Sequence, residues 1–440
     1  MNHLFDPDLA TVNGNGNLPI RKQKIAVVGA GIAGLGAAYS LSSVHDVTLF
    51  EALERLGGHS RTLMAGRDEQ FAVDTGFMVF NYLNYPNLNA LFEELDIPVK
   101  RSNMSFAVSL DGGKFEYGLH QLSRVFAQKR NLANPVFYRM LSDIFKFNKH
   151  GLQFKDHPDA TLGEILNEIG VSRAFRERYL CPLAGAIWST TLDDMLDFPA
   201  QTLVRFFDAH KLMSASNHPT WYTVDGGSQV YVERMATRLE KLGCDIRTNA
   251  PVKSVTRNSG KVQIRTDKAE PEEFDQVIFA CHSDQALCML ADASTDETDV
   301  LSAIRFKKNT VFLHDDPGQM PVRKACWSSW VYKGSCNQTT TNATTYWMNL
   351  LQDIPETTPV FVTLNPENPI PEEHIFNQTT LSHPQYDMPA LRAREKLPRL
   401  QGQNNSWYCG AWTKYGFHED GLASGLKVAE DIRAKTMVTV

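Results

Sequence analysis

The chain has 440 residues, 42% hydrophobic and 21% charged, with a net charge of −6. That length suits two or three domain-sized bodies at about 150 residues each, and the composition is that of a folded globular protein. A net acidic chain without long runs of one charge excludes nucleic acid as the main partner, because phosphate binding needs a basic face.

Residues 1–22 are polar and rich in Asn, Asp and Gly, without the apolar stretch of a signal peptide, and are expected to form a flexible arm. No apolar run reaches the roughly 18 residues a spanning helix needs. The seven cysteines are scattered and include no C-x-x-C pair, so they read as reduced thiols, and no group of residues has metal-ligand spacing. A cytoplasmic location is expected, with peripheral membrane contact left open.

The first element is K-I-A-V-V over residues 24–28, a β-branched run that reads as a buried parallel strand. It leads into Gly29-Ala-Gly31-Ile-Ala33-Gly34 and a helix ending near Leu41. Gly29 allows a tight turn, Gly31 lets the backbone approach a pyrophosphate, and Gly34 lets helix pack on strand. The helix N-terminus adds free N–H groups and positive partial charge. A second strand, residues 46–50, ends at Glu51, about 20 residues past the glycines, where a carboxylate accepts hydrogen bonds from ribose hydroxyls. This is a Rossmann unit built for a dinucleotide. Two further motifs follow: Arg55-Leu-Gly57-Gly58-His59-Ser60-Arg61-Thr62, then Asp74-Thr75-Gly76-Phe77.

The three motifs together resemble those of the flavin-containing amine-oxidoreductase superfamily, whose ribose acid is followed by R-x-G-G-[RH]-x-x-T and then a D-x-G loop beneath the flavin ring. The resemblance implies FAD as cofactor and an α/β fold. The implied architecture is a Rossmann-type FAD-binding domain (glutathione-reductase-like, amine-oxidase type) with an inserted α+β substrate domain. It assigns Gly29, Gly31, Ala33, Gly34, Glu51, Arg55, Gly57, Gly58, Arg61, Thr62, Thr75, Gly76 and Phe77 to the cofactor, with arginine adding charge-assisted contacts.

Further along, residues 137–147 and 201–213 carry apolar stripes at helical spacing inside a first insertion, 82–220. Residues 221–228 resemble the family's return loop, a helix is expected over 230–242, and residues 245–255 read as one strand in which Val252 would hold adenine through its backbone. Residues 274–282 read as a buried strand entering a turn near the cofactor. A strand-rich second insertion spans 300–400. Residues 407–412 and 418–425 resemble the C-terminal flavin segment, which adds Gly410, Asp420 and Leu422 to the cofactor set. The FAD-binding domain is thus expected over 23–81, 221–299 and 401–440, and the substrate domain with its helical cap over 82–220 and 300–400.

Phrases such as D-T-G-F-M-V-F-N from Asp74, A-G-A-I-W-S from Ala184 and Y-W-M-N-L from Tyr346 resemble a narrower bacterial group of FAD-dependent oxidoreductases. Members are encoded beside cyclopropane-fatty-acid-synthase-like methyltransferases, which implies a lipid substrate and a lipid methyltransferase as partner.

On the superfamily's motifs, Trp407 falls at the first position of the aromatic amine cage and His418 at the second, and both are the expected catalytic residues. The family's flavin-side lysine falls at Asn309, next to Lys308. An imidazole suits proton transfer better than ammonium binding. His282 reads as structural or cofactor-contacting. The expected function is FAD-dependent oxidation or desaturation, by hydride transfer, of an unsaturated or modified fatty-acyl chain. The alternatives are an amine oxidase, a polyene or porphyrinogen desaturase, and a non-catalytic FAD-binding or membrane-recruited scaffold.

Overall fold

The computed structural model describes residues 21–66, 68, 70–119, 121–214, 218–267, 270–335 and 338–437, without the side chains of 338–342; of the expected N-terminal arm only residues 21 and 22 fall among them. Five parallel strands form the first sheet, in the order Asp245–Arg247, Asp46–Phe50, Lys24–Val28, Gln276–Phe279 and Ser406–Tyr408. Four of these strands are short, largely apolar runs that bury both faces in the sheet, and the polar strand Asp245–Arg247 lies at its edge. Val28 pairs with Phe50 and Phe279, and Phe279 with Tyr408, so the carboxyl ends of four strands lie level. Ligands of open α/β sheets bind in the crevice beyond those ends.

Helix Ile32–Leu41 leaves the first strand, and the last helix, His418–Thr436, packs against it. Glycine permits the approach: a Cβ at Gly425 would lie 2.1 Å from the Ala33 carbonyl oxygen, and one at Gly36 would lie 2.5 Å from Leu422 Cδ1. The stretch expected as one strand over 245–255 is two. Asp245–Arg247 joins the parallel sheet, whereas Val252–Asn258 begins an antiparallel sheet with Lys261–Thr266 and Glu272–Phe274. Asn249 turns the chain at φ 50°, and Pro251 has no N–H to continue the ladder.

The second large sheet has seven strands, from Ile375–Pro384 at one edge, through Phe306–His314, to Phe106–Leu110 and Phe115–Gly118 at the other. Helices Pro135–His150, Leu162–Ile169, Cys181–Trp188 and Ala200–Ala209 share a core with its far edge, including Phe115, Tyr117, Phe137 and Phe207. The expected stripe over 137–147 lies within the first of these helices, whereas that over 201–213 runs past the last one, which ends at Ala209. The near edge, Ile375–Pro384, brings Asn377 and His383 toward the carboxyl ends of the parallel strands, because Asn377 bonds Arg61 and the His383 ring lies 5.7 Å from that of His59.

Candidate active site

The three loop glycines do different work. Gly29 has φ +103°, and a Cβ there would meet the Ala280 carbonyl oxygen at 2.7 Å; a Cβ on Gly34 would lie 1.9 Å from the Gly29 oxygen. The protein's own packing requires both. Gly31 has an ordinary φ of −71°, and nothing lies within 4 Å of where its Cβ would be. Neither backbone nor neighbours require glycine there, so the open space at the helix N-terminus is a cradle of the kind a phosphate fills. Beside it, the Gly57 N–H donates to the Ala30 carbonyl (2.8 Å) and a Cβ on Gly58 would lie 3.0 Å from Gly31 Cα, so the second glycine pair lies directly on the first loop. Glu51 accepts the Ala30 N–H on Oε2 and the Leu53 N–H on Oε1, both at 2.9 Å, which fixes the carboxylate at the end of its strand. The Ala250 N–H donates to the Glu51 carbonyl, and Val252 begins its strand just beyond. These residues fit the adenosine and pyrophosphate of FAD.

The two arginines brace the protein. Arg55 donates to the Gly58 carbonyl at 2.8 Å and to the Ser60 carbonyl at 3.3 Å, and Arg61 to Thr75 Oγ1 at 3.1 Å and Asn377 Oδ1 at 3.0 Å. The Thr75 N–H returns to the Arg61 carbonyl, and the Phe77 N–H to that of His59. A Cβ on Gly76 would lie 2.0 Å from the His59 oxygen, so this glycine is the closest crossing of the two motifs. Asp74 anchors the loop from below. It accepts bonds from the Ser228 N–H and hydroxyl, the Thr62 hydroxyl and Gln352 Nε2, yet burial outweighs them and raises its carboxyl to about 6. Ser228 ends the segment that resembles the family's return loop, Gln352 carries no motif, and only the folded chain brings them to Asp74.

Four imidazoles meet at this end of the sheet. The His59 ring lies 6.1 Å from that of His282 and 5.7 Å from that of His383; His282 stacks on Phe306 at 4.1 Å. His383 Nδ1 is 2.8 Å from the Ser189 hydroxyl. His418 stacks on Phe77 at 3.9 Å, with Nε2 2.7 Å from the Tyr231 hydroxyl and 3.4 Å from that of Ser60. Burial pushes His59 and His282 down to about 4, and His383 and His418 to about 3, so all four are neutral near pH 7. His59 Nε2 is buried and has no partner among the described residues. A buried imidazole nitrogen left open is costly unless a ligand completes it. The sequence placed His418 here; it gave His59 no role of its own, and His383, deep in an insertion, no signal at all.

Trp407 is 1% exposed inside the parallel sheet, donating to Gln276 Oε1 at 2.5 Å with Lys435 over its ring. It is the middle residue of strand Ser406–Tyr408, whereas the crevice opens beyond the strand's carboxyl end, past Gly410. Trp407→Phe is therefore expected to leave steady-state turnover within about twofold while lowering the melting temperature through the lost buried hydrogen bond. Asp420 accepts the N–H groups of Phe417 (3.0 Å) and Tyr415 (3.2 Å), capping its own helix, and burial raises it to about 6. Gly410 donates to Ser424 Oγ at 2.9 Å, and Leu422 and Ala33 form the helix contact above. Asn309 is buried and bonded to Lys307 and Asn365, and Lys308 points to solvent. Cys409 is buried and burial raises its thiol. Among the described residues no group of His, Cys, Asp or Glu could hold a metal, and no helix is long and apolar enough to cross a membrane.

Residues 32–308 match the family described as flavin containing amine oxidoreductase. A lysine-specific histone demethylase 1B homolog of Caenorhabditis elegans is 25% identical over 287 residues, covering 59% of this chain and 32% of that protein. The chain spans 32% to 54% of the length of the first curated relatives it matches. Among solved structures, a variant of putrescine oxidase superposes with a TM-score of 0.69 at 16% identity, covering 94% of this chain and 99% of that one. A fatty acid isomerase from P. acnes, described as producing CLA, superposes with a TM-score of 0.68 at 16% identity, covering 93% and 98%. At such identities these likenesses establish the fold.

Proposed function

The chain belongs to the flavin-containing amine oxidoreductase family, whose cofactor is FAD, and on that premise we propose that it oxidises or desaturates an unsaturated or modified fatty-acyl chain. Bound FAD would supply the two-electron acceptor. The chain's own residues do the rest. Gly31 and the N–H groups opening helix Ile32–Leu41 would hold the phosphates and Glu51 the ribose, and the N-terminus of helix His418–Thr436 would direct positive partial charge into the crevice. His59 Nε2, neutral and without a partner among the described residues, would accept the substrate's proton, with His418 held nearby by Tyr231.

One observation carries the choice of substrate: the four imidazoles that meet at this end of the sheet are buried and neutral. Trp407 is buried in the sheet, His418 is stacked on Phe77, and the lysine position is a buried asparagine. An ammonium substrate needs aromatic faces or a carboxylate to replace its hydration, whereas an acyl chain needs only a dry wall. The methyltransferase partner implied by the narrower resemblance belongs to the same proposal. The test is comparative lipidomics of deletion and overexpression strains, expected to change the abundance of specific acyl species. Unchanged acyl composition would overturn the substrate and favour amines or polyenes. At the residue level, His418→Gln is expected to keep full FAD content and slow anaerobic, substrate-driven flavin bleaching about 10²-fold; unchanged bleaching would remove His418 from the reaction.

A further inference from the structure

Helix Pro135–His150 buries Phe137, Met140, Asp143 and Phe147 against the cap core. Its opposite ridge holds Tyr138, Ser142, Phe145 and Lys149, all exposed, and Leu152 continues the row one turn on. Phe145 is 68% exposed. The Tyr138 hydroxyl donates to the Leu132 carbonyl at 3.0 Å, which draws exposed Leu132 alongside, and the Tyr138 ring lies 6.1 Å from Phe126. Just upstream Leu122 is 77% exposed. Single exposed apolar residues are ordinary, but a row of aromatic and aliphatic side chains on one ridge marks a surface that meets a partner.

The charge around this ridge identifies the partner. Residues 121–155 hold seven lysines and arginines and a single acid, Asp143, in a chain with 50 acidic and 44 basic residues. Asp143 is buried and accepts from Arg139 and from the Ser172 N–H. Lys129, Arg130 and Lys149 are exposed and have no protein partner among the described residues. An apolar row flanked by free cations is the pattern of a segment lying in the headgroup layer of an anionic bilayer. A second copy is disfavoured, because a two-fold contact would set this basic face against itself.

We propose that this face, centred on Phe145 and flanked by Lys129, Arg130 and Lys149, docks the protein on an anionic lipid surface. Docking involves no spanning helix and is independent of the substrate reading, so either can fail alone. FAD-loaded protein is floated with phosphatidylcholine vesicles and with mixed phosphatidylcholine–phosphatidylglycerol vesicles. It is expected to float with the second only, and to be released by high salt. The triple variant Lys129→Ser, Arg130→Ser, Lys149→Ser should lower partitioning about 10²-fold, since each cation near the leaflet contributes about fivefold. Phe145→Ser should lower it about tenfold, with flavin content and melting temperature unchanged because the side chain is exposed. No flotation with either vesicle, or flotation indifferent to both variants, overturns the proposal. A concentration-dependent dimer in sedimentation velocity that Phe145→Ser dissolves also overturns it, assigning the face to a second copy.

Discussion

Gly31→Val is expected to yield a folded protein that no longer holds FAD. The backbone at residue 31 is at φ −71°, ψ 178°, a conformation valine adopts freely, and its Cβ would enter open space. The fold should therefore be indifferent to the change. The ligand should not be: valine's branched carbons would fill the space a pyrophosphate needs to reach the N–H groups at the helix start. Losing one or two charge-assisted hydrogen bonds costs about 3 kcal/mol, or about 10²-fold in affinity. Its neighbours behave differently. Gly34→Ala forces a methyl to 1.9 Å from the Gly29 carbonyl oxygen, and Gly29→Ala adds a clash with Ala280 to a left-handed φ of +103°. Both should lose fold and flavin together. Flavin absorbance per chain, read beside far-UV circular dichroism, separates the outcomes. Full flavin content in Gly31→Val would show that the phosphates lie elsewhere.

This contrast also shows what was legible in the sequence. A strand that turns tightly into a helix needs glycine for steric reasons local to the loop, so Gly29, Gly31 and Gly34 could be read from spacing. The motif's spacing already gave Gly31 to the pyrophosphate and Gly29 and Gly34 to turn and packing; what it could not show is the contact of Gly29 with Ala280, some 250 residues downstream. The cap helices were legible from apolar stripes, whereas the break of residues 245–255 into two strands rested on the single turn at Asn249. Trp407 illustrates the limit of motif matching: its place beside Gly410 in sequence suggested the crevice, but a strand carries successive residues about 3.3 Å apart, and three residues set it back in the sheet. The histidine cluster was the least legible part. His59, His282, His383 and His418 come from four separate stretches, and His383 arrives only because strand Ile375–Pro384 forms the edge of a sheet that leans over the site.

Between pH 7 and pH 5 the protein is expected to lose stability, and its buried, neutral histidines are a main cause. Burial lowers His45, His59, His282 and His314 to about 4, and His383 and His418 to about 3, from 6.5. The unfolded chain therefore binds protons at these six positions well before the folded one does, and stability falls as pH drops below 6.5. Asp74 and Asp420 act in the opposite sense. Each is raised from 3.8 to about 6, so the folded state takes up their protons first and gains stability as pH drops through 6. Magnitude decides the sign. At pH 5 each histidine costs about 2 kcal/mol relative to pH 7, and each aspartate returns about 1 kcal/mol. Six costs against two returns leave a net loss of about 10 kcal/mol, comparable with the whole stability of a typical domain, about 5–15 kcal/mol. The melting temperature of the FAD-loaded protein should therefore fall steeply below pH 6.5; a flat profile down to pH 5 would mean that the imidazoles are not buried as found here. Four of the six histidines meet at the candidate site, so the burial that keeps a proposed proton acceptor neutral is also what makes the fold sensitive to acid.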